Sequence, residues 1–334
     1  MLMNTSASLT VPKGGKAVRF SELTPLVFSV LFFVTLVIFP KASGEAVART
    51  LTACAKRLIP SLFPFMVASE LLLRLGFAEA MGNVIGKPFK KLFGISENGA
   101  AAFVIGALCG LPIGARYTLS LYKSDAISLS DCERLIAFSN NAGIGFTVIG
   151  VGYGIWGSYA FGWLLYLCQI FASVTVGATL FRDKKSRSIA PVSDDIPKYS
   201  LPQALCEAVS SAASGMISVC AFAVFFSTVA AMLESLSEAL ALPRLLSYAV
   251  SSALEISYGC ELLHAYAVSI APANGSSAVL LTFFAIGFTG MCVHAQTFFT
   301  SASSGVKLKK YMLIKLASGV VCALTGATVM HFFA

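Results

Sequence analysis

The sequence predicts an all-α polytopic membrane protein with an inverted-topology repeat. Three observations predict this fold class. Of the 334 residues, 57% are hydrophobic and only 12% are charged, and the mean hydropathy is +0.80. Apolar runs of about 18–25 residues recur along the chain and do not alternate in the manner of β-barrel strands, so they are typical of membrane-spanning helices. The order of continuous and interrupted runs also occurs twice.

The chain opens with a predicted cytosolic amino terminus and a first transmembrane helix, within residues 1–43. The segment GEAVARTLTACAKRLIP follows. Its apolar residues share one helical face, which predicts an amphipathic helix in the membrane interface. A span is predicted at about 59–77. A basic loop is predicted next, with Lys87, Lys90 and Lys91.

Two interrupted runs complete the first repeat, predicted over residues 44–181. AAFVIGALCGLPIGARYTLSLYK breaks at Gly110 and Pro112. Neither arm can cross about 30 Å of hydrocarbon, so we expect a re-entrant hairpin. A loop, KSDAISLSDCE, leads to RLIAFSNNAGIGFTVIGVGYGIWG, which carries carboxamides and glycines at membrane depth and predicts a broken helix. A continuous span closes the repeat at 159–181.

A basic cytosolic linker is predicted at 182–199, and the second repeat over 200–334. It contains a mildly amphipathic segment, a span, an apolar stretch interrupted at Glu255, a run interrupted at Gly290, and a last span. With an odd number of crossings in the first repeat, the second repeat starts on the opposite side of the membrane. Most basic loops then fall in the cytosol, as expected. Four basic residues do not: Lys41, Arg49, Lys56 and Arg57.

Composition also argues against several functions. Nine cysteines lack paired spacing, so neither a disulfide framework nor a metal site is predicted. The net charge of +8 lies at the ends of apolar runs, which does not indicate nucleic-acid binding. No phosphate-binding loop and no nucleophile with its base are present, so we predict neither ATP hydrolysis nor an enzyme. We expect no cofactor, with a coupling H⁺ or Na⁺ left open.

Inverted repeats with discontinuous helices are typical of secondary transporters. Irregular backbone at membrane depth is tolerated where it faces protein or a wet cavity. A transporter therefore accounts for the breaks, whereas a non-transporting membrane scaffold would have no need of them.

Five segments in this order resemble the YlbJ/SpoVV sporulation integral membrane proteins: IPSLFPFMVASELL, CGLPIGARYTLSLY, RLIAFSNNAGIGFTVIGVGYGIWGS, LEISYGCELL and MCVHAQTFFT. That family belongs to the nucleoside-recognition (Gate) group, which is similar to concentrative nucleoside transporters. The resemblance implies a concentrative-nucleoside-transporter-like fold. It also implies transport of dipicolinate, a small anionic substrate, from mother cell to forespore across the outer forespore membrane. The alternatives are transport of a nucleoside or another small metabolite, and a non-transporting scaffold. The expected partners are this substrate and the lipid bilayer, with a homo-oligomer left open.

The candidate site lies at the four breaks. Arg116 can clamp a carboxylate or serve as a structural arginine. Intramembrane Glu255 and His294 can carry a coupling proton or set the charge, and Glu255 can instead pair with Arg116. The predicted substrate-binding residues are Arg116, Ser139, Asn140, Asn141, Gly114, Ser257 and Gln296; the predicted hairpin and helix-break residues are Gly110, Pro112, Gly143 and Gly290.

Overall fold

The computed structural model describes residues 20–181, 200–269, 272–307 and 310–333, and within these ranges it is helical without strands. It divides at Pro40 into two units, each described here by itself. The first unit contains α1 (Phe20–Ile38). The predicted linker at 182–199 and the first 19 residues lie outside the described residues.

The second unit contains the other helices and two π-helical segments. In chain order they are α2 (Pro40–Ala53), a π-helical segment (Cys54–Leu58), α3 (Ile59–Arg74), α4 (Phe77–Phe93), α5 (Gly99–Cys109), α6 (Ile113–Lys123), α7 (Leu129–Ser139), a second π-helical segment (Gly145–Tyr153), α8 (Tyr159–Phe181), α9 (Leu201–Ala239), α10 (Arg244–Leu254), α11 (Ile256–Ser269), α12 (Pro272–Phe288), α13 (Gly290–Ser301) and α14 (Tyr311–Phe333).

The predicted fold class is confirmed. Among the described residues, five helical runs are long and apolar enough to cross a membrane: Pro40–Arg74, Tyr159–Phe181, Leu201–Ala239, Gly275–Ser301 and Tyr311–Phe332. Helices α5 and α6 pack together as the first hairpin, and α10 and α11 as the second. The first broken helix consists of α7 and the second π-helical segment. The second broken helix consists of α12 and α13.

The distribution of side chains fits a lipid environment. Large apolar residues face outward on the long helices, with Ile217 71% exposed and Leu313 68% exposed. Polar side chains are instead concentrated inside, at the two broken helices and around them. Since lipid offers no hydrogen bonds, polar groups in such a protein must find partners within it.

The first long helical run differs from the prediction. The sequence predicts a separate interfacial helix and then a span, but helix continues from Pro40 to Arg74. The run passes Pro60 by widening into the π-helical segment, where the Ile59 N–H donates to Cys54 O. A local π-bulge absorbs the proline without ending the helix. Likewise, α9 joins the predicted amphipathic segment and span into one helix of 39 residues.

The basic loop predicted at Lys87, Lys90 and Lys91 is wrong, because these residues form part of α4. Phe89 and Phe93 lie one turn apart and are buried, at 5% and 2% exposure. The lysines of α4 are exposed. The helix is therefore amphipathic, and its charged face gives the segment a loop-like composition.

The first broken helix also begins earlier than predicted. The sequence assigns residues through 133 to a loop, but α7 starts at Leu129. The Ser128 hydroxyl accepts a hydrogen bond from the Asp131 N–H at 3.1 Å. This serine caps the amino terminus of α7 and fixes where it starts.

Candidate functional site

A cavity lies where the two hairpins meet the two broken helices. Its empty volume, with the open mouth included, is about 460 Å³. The walls are mostly apolar, from the junction of the first π-helical segment with α3 and from α9. The polar lining comes from the breaks themselves, through Glu255, Ser257 and Gln296.

At each break, a residue at the amino terminus of the following half-helix lines the cavity. Leu111 precedes α6, Gly143 precedes the second π-helical segment, Ser257 is in the first turn of α11, and Cys292 is in the first turn of α13. Helix amino termini carry about half a positive charge and unpaired N–H groups. Four such ends direct their positive dipoles toward a cavity whose lining contains no lysine or arginine, and Glu255 caps the end that belongs to α11.

Glu255 lies in the turn of the second hairpin and is 2% exposed. Its carboxylate accepts hydrogen bonds from the Ser257 N–H at 3.1 Å and the Tyr258 N–H at 2.6 Å. It therefore caps α11 and offsets the positive end of that helix. The carboxylate also lines the cavity, where it can accept a hydrogen bond from a bound molecule.

The alternative pairing of Glu255 with Arg116 is wrong. Arg116 Nη1 lies 3.8 Å from Glu70 Oε1, and Nη2 donates to Ser211 Oγ at 3.0 Å. Arg116 does not line the cavity. Its guanidinium instead ties the first hairpin to α3 and α9, because Ser211 in turn donates to Glu70 at 2.8 Å.

Gln296 is 3% exposed and lines the cavity from α13. Its Nε2 atom lies 3.5 Å from Cys292 Sγ, a weak acceptor. Its Oε1 atom has no hydrogen-bond partner within the described ranges. A buried amide with an unused oxygen beside a cavity is suited to binding a ligand.

The polar side chains of the first break are buried behind the cavity wall, which its Ala142 and Gly143 help to form. Asn140 Nδ2 donates to Thr297 Oγ1 at 2.8 Å, and Asn141 Nδ2 donates to Phe138 O at 2.9 Å. Ser139 and Asn140 are 0% exposed. None of Ser139, Asn140 and Asn141 lines the cavity. In this conformation the two carboxamides join helices and cap the break.

Sequence reasoning missed Lys315. It is in α14, is 0% exposed, and donates to the backbone oxygen of Asn140. Its Nζ also lies 3.4 Å from Asn141 Oδ1. The signal was available, because a single lysine interrupts the apolar span YMLIKLASGVVCALTG, and an intramembrane lysine marks a functional position by default.

Tyr311 links the two broken helices. Its hydroxyl lies 3.1 Å from His294 Nδ1, 3.4 Å from Thr297 Oγ1 and 3.4 Å from Asn140 Nδ2. His294 does not line the cavity. Its Nε2 atom has no partner among the residues that the structure describes.

Replacing Tyr311 with phenylalanine should lower the free energy of unfolding by about 1–3 kcal/mol, because buried polar groups lose a partner. His294 Nδ1 would lose its hydrogen bond to the Tyr311 hydroxyl. The measurement is denaturant unfolding in mixed micelles. The half-exposed Tyr159 offers a matched control, since Tyr159→Phe should change stability by less than about 0.5 kcal/mol. Equal effects of the two variants would contradict the role of the Tyr311 hydroxyl.

The predicted glycine and proline positions form the contacts between hairpin and broken helix. Gly110 has φ +81°, and a Cβ atom there would lie 2.3 Å from Gly143 N. Gly114 packs against Ser139 O, where a Cβ would lie at 2.9 Å. Pro112 precedes the first residue of α6. In the second broken helix, Gly290 has φ +73° and begins α13.

Two arginines that the predicted orientation leaves outside have partners on the second hairpin. Arg57 forms an ion pair with Glu261, and the Arg49 guanidinium lies 4.2 Å from the centre of the Tyr258 ring. Smaller pockets next to the main cavity are lined by these arginines and share Ser257 with it. These contacts pack both arginines against α11, and the predicted orientation of the chain in the membrane stays a prediction.

The fold and the cavity define a polytopic integral membrane protein with a transporter-like architecture. Its two hairpins and two broken helices converge on one cavity that is lined by few polar side chains.

Comparison with known proteins agrees with the family resemblance. Residues 55–159 match the Gate family, described as nucleoside recognition. Over 335 aligned residues the chain is 26% identical to the sporulation integral membrane protein YlbJ of Bacillus subtilis (strain 168), with 90% of this chain and 81% of YlbJ covered. The predicted resemblance to sporulation membrane proteins with a Gate domain is confirmed.

Solved structures of CNTnw are also similar. An inward-facing, substrate-bound structure has a TM-score of 0.48 at 12% identity, covering 92% of this chain and 83% of that chain. An outward-facing structure of a variant has a TM-score of 0.46 at 13% identity, covering 92% and 86%.

Proposed function

We propose that the protein is a secondary transporter for a small anionic metabolite, with dipicolinate as the leading candidate. The observation that carries this proposal is the convergence of four half-helix amino termini on one cavity. Such ends bind anions through their N–H groups and dipoles. In a sporulating cell the protein would act in the outer forespore membrane, as its resemblance to sporulation proteins implies. Transport would move the two repeats against each other around the cavity.

The polar residues of the lining have separate roles in this proposal. Gln296 and Ser257 contact the substrate, and Glu255 sets the local charge. A carboxylate in the lining opposes an anion unless it is protonated or capped. Glu255 already accepts two backbone hydrogen bonds, which disperse its charge. In this proposal, the Glu255 carboxylate takes up a coupling proton when the substrate binds.

A nucleoside is the second candidate, and the side chains of Glu255 and Gln296 favour it. A carboxylate and an amide suit the hydroxyl groups of ribose, and no cationic side chain lines the cavity within the described ranges. The Gate match and its description point the same way.

The first experiment measures binding of labelled dipicolinate, with unlabelled uridine as competitor, to the full chain in lipid nanodiscs. We expect dipicolinate to bind and Gln296→Leu to weaken binding by about tenfold, the equivalent of one hydrogen bond that Gln296 Nε2 donates to a carboxylate in place of its weak contact with Cys292 Sγ. Gln203→Leu is the matched control, since Gln203 is exposed on α9. Arg116→Ala should weaken binding less than Gln296→Leu in the folded fraction, because Arg116 holds the first hairpin and does not line the cavity; a larger loss would support its predicted role as the clamp.

Glu255→Gln separates the two candidates by the sign of its effect. Removing the carboxylate should strengthen binding of an anion and weaken binding of a nucleoside. Uridine binding without dipicolinate binding would select the nucleoside. Binding of neither ligand would contradict both candidates and favour a non-transporting scaffold.

A further inference from the structure

The carboxyl-terminal end of α7 lies inside the membrane-embedded part of the protein. Helices end with backbone oxygens that lack intrahelical donors, and these oxygens carry about half a negative charge. Side chains supply the donors here. Phe138 O accepts from Asn141 Nδ2, and Asn140 O accepts from Lys315 Nζ. The last of these donors is a cation.

The Lys315 ammonium has only neutral oxygen partners. It is fully buried, and no carboxylate oxygen of the described residues lies within 4 Å of it. Its acceptors are the backbone oxygen of Asn140 and the side-chain oxygen of Asn141. A buried charge costs several kcal/mol unless something opposite compensates it. The negative end of α7 is the compensating group that the geometry offers.

At the end of α12, no lysine or arginine of the described residues takes the place that Lys315 has at the end of α7. Thr289 satisfies the end of α12, because its N–H donates to Ala285 O at 2.8 Å and its hydroxyl donates to Phe288 O at 2.6 Å. Helix α8 packs against α12 as α14 packs against α7. Yet α8 contains no lysine, arginine or histidine. The ammonium is therefore a special feature of the first break and not a general requirement of the fold.

In transporters with broken helices, unwound carbonyls and half-helix carboxyl ends coordinate Na⁺ or H⁺. We propose that the Lys315 ammonium compensates the negative charge at the carboxyl-terminal end of α7. It thereby takes the place of a bound inorganic cation. The first broken helix then keeps its shape without Na⁺ or K⁺. Lysine suits this role because its ammonium is a compact point charge with three donors. The inference does not depend on which substrate is transported.

The test measures the melting temperature of the full chain in nanodiscs, in NaCl, KCl and choline chloride at equal ionic strength. We expect the wild-type protein to melt at the same temperature in all three salts. Lys315→Ala should melt several degrees lower in choline, and Na⁺ or methylammonium should recover most of the loss. Lys315→Met, which fills the space without charge, should be destabilised but not rescued by methylammonium. Ser318→Ala is the matched control in α14, since Ser318 is buried and its hydroxyl donates to Ile314 O of the same helix.

Two results would overturn the proposal. One is a wild-type protein that Na⁺ or K⁺ stabilises over choline, because the site would then take an inorganic ion beside Lys315. The other is a Lys315→Met protein as stable as wild type, because the charge would then be unnecessary. If neither variant folds, the wild-type salt series still decides against the proposal when it shows Na⁺ or K⁺ stabilisation. Loss of substrate binding does not enter this test.

Discussion

Replacing Arg134 with methionine should lower the free energy of unfolding by about 3–5 kcal/mol, the cost of removing one member of a buried ion pair. Arg134 pairs with Asp131 near the start of α7, and its Nη1 donates to Gly94 O at 3.3 Å. Asp131 is 0% exposed, so its charge would remain in the interior. Denaturant unfolding in mixed micelles measures the loss.

Two further variants give this prediction its controls. Arg57→Met breaks the Arg57–Glu261 pair, whose side chains are 31% and 23% exposed, and should cost about 1 kcal/mol or less. The double variant Asp131→Asn with Arg134→Met also removes the negative charge of Asp131, so it should be more stable than Arg134→Met alone. Strictly additive losses in the double variant would show that the two side chains do not act as a pair.

The second large effect is expected from Gly106→Ala. A Cβ atom at Gly106 would lie 2.0 Å from Ser139 O, a backbone atom of the first break. The first hairpin would have to move away from the broken helix, and overpacking of this kind costs about 1–3 kcal/mol or more. Because Leu111 and Gly143 both line the cavity, we also expect ligand affinity to fall. Melting temperature and binding should be measured on the same preparation.

Gly82→Ala is the matched control for this variant. Gly82 lies inside α4, and a Cβ atom there would meet nothing within 4 Å. Alanine should therefore raise stability by up to about 1 kcal/mol through helix propensity. If Gly106→Ala were equally harmless, the close contact between hairpin and broken helix would not be important for stability.

The breaks were predictable from sequence because glycine and proline leave local signals. The predicted hairpin turn at Gly110 and Pro112 lies between α5 and α6, and Glu255 lies between α10 and α11. The unwound residues 140–143 fall within the predicted broken helix. These positions depend on backbone chemistry and half-helix length, which a sequence carries locally.

The partners of the polar side chains were not predictable in the same way. Arg116 is an intramembrane arginine in the sequence, but its pairing with Glu70 depends on how α6 packs against α3. The hydrogen bond from Asn140 to Thr297 joins residues 157 positions apart. Such contacts are set by tertiary packing, so sequence reasoning identifies polar positions at the breaks without deciding which of them face the cavity. The boundaries of the two repeats stay a prediction.

The unbroken helix α9 has a mechanical consequence. At 1.5 Å per residue, 39 residues extend about 58 Å, nearly twice the roughly 30 Å of hydrocarbon. Such a helix must tilt or project from the bilayer, and its tilt responds to membrane thickness. Ser211, which binds Arg116, lies about 20 Å along α9 from the middle of the apolar stretch, so a change in tilt of about 10° would displace it by about 3 Å. A change in bilayer thickness would thus move the first hairpin, because it changes the tilt of α9 and with it the position of Ser211.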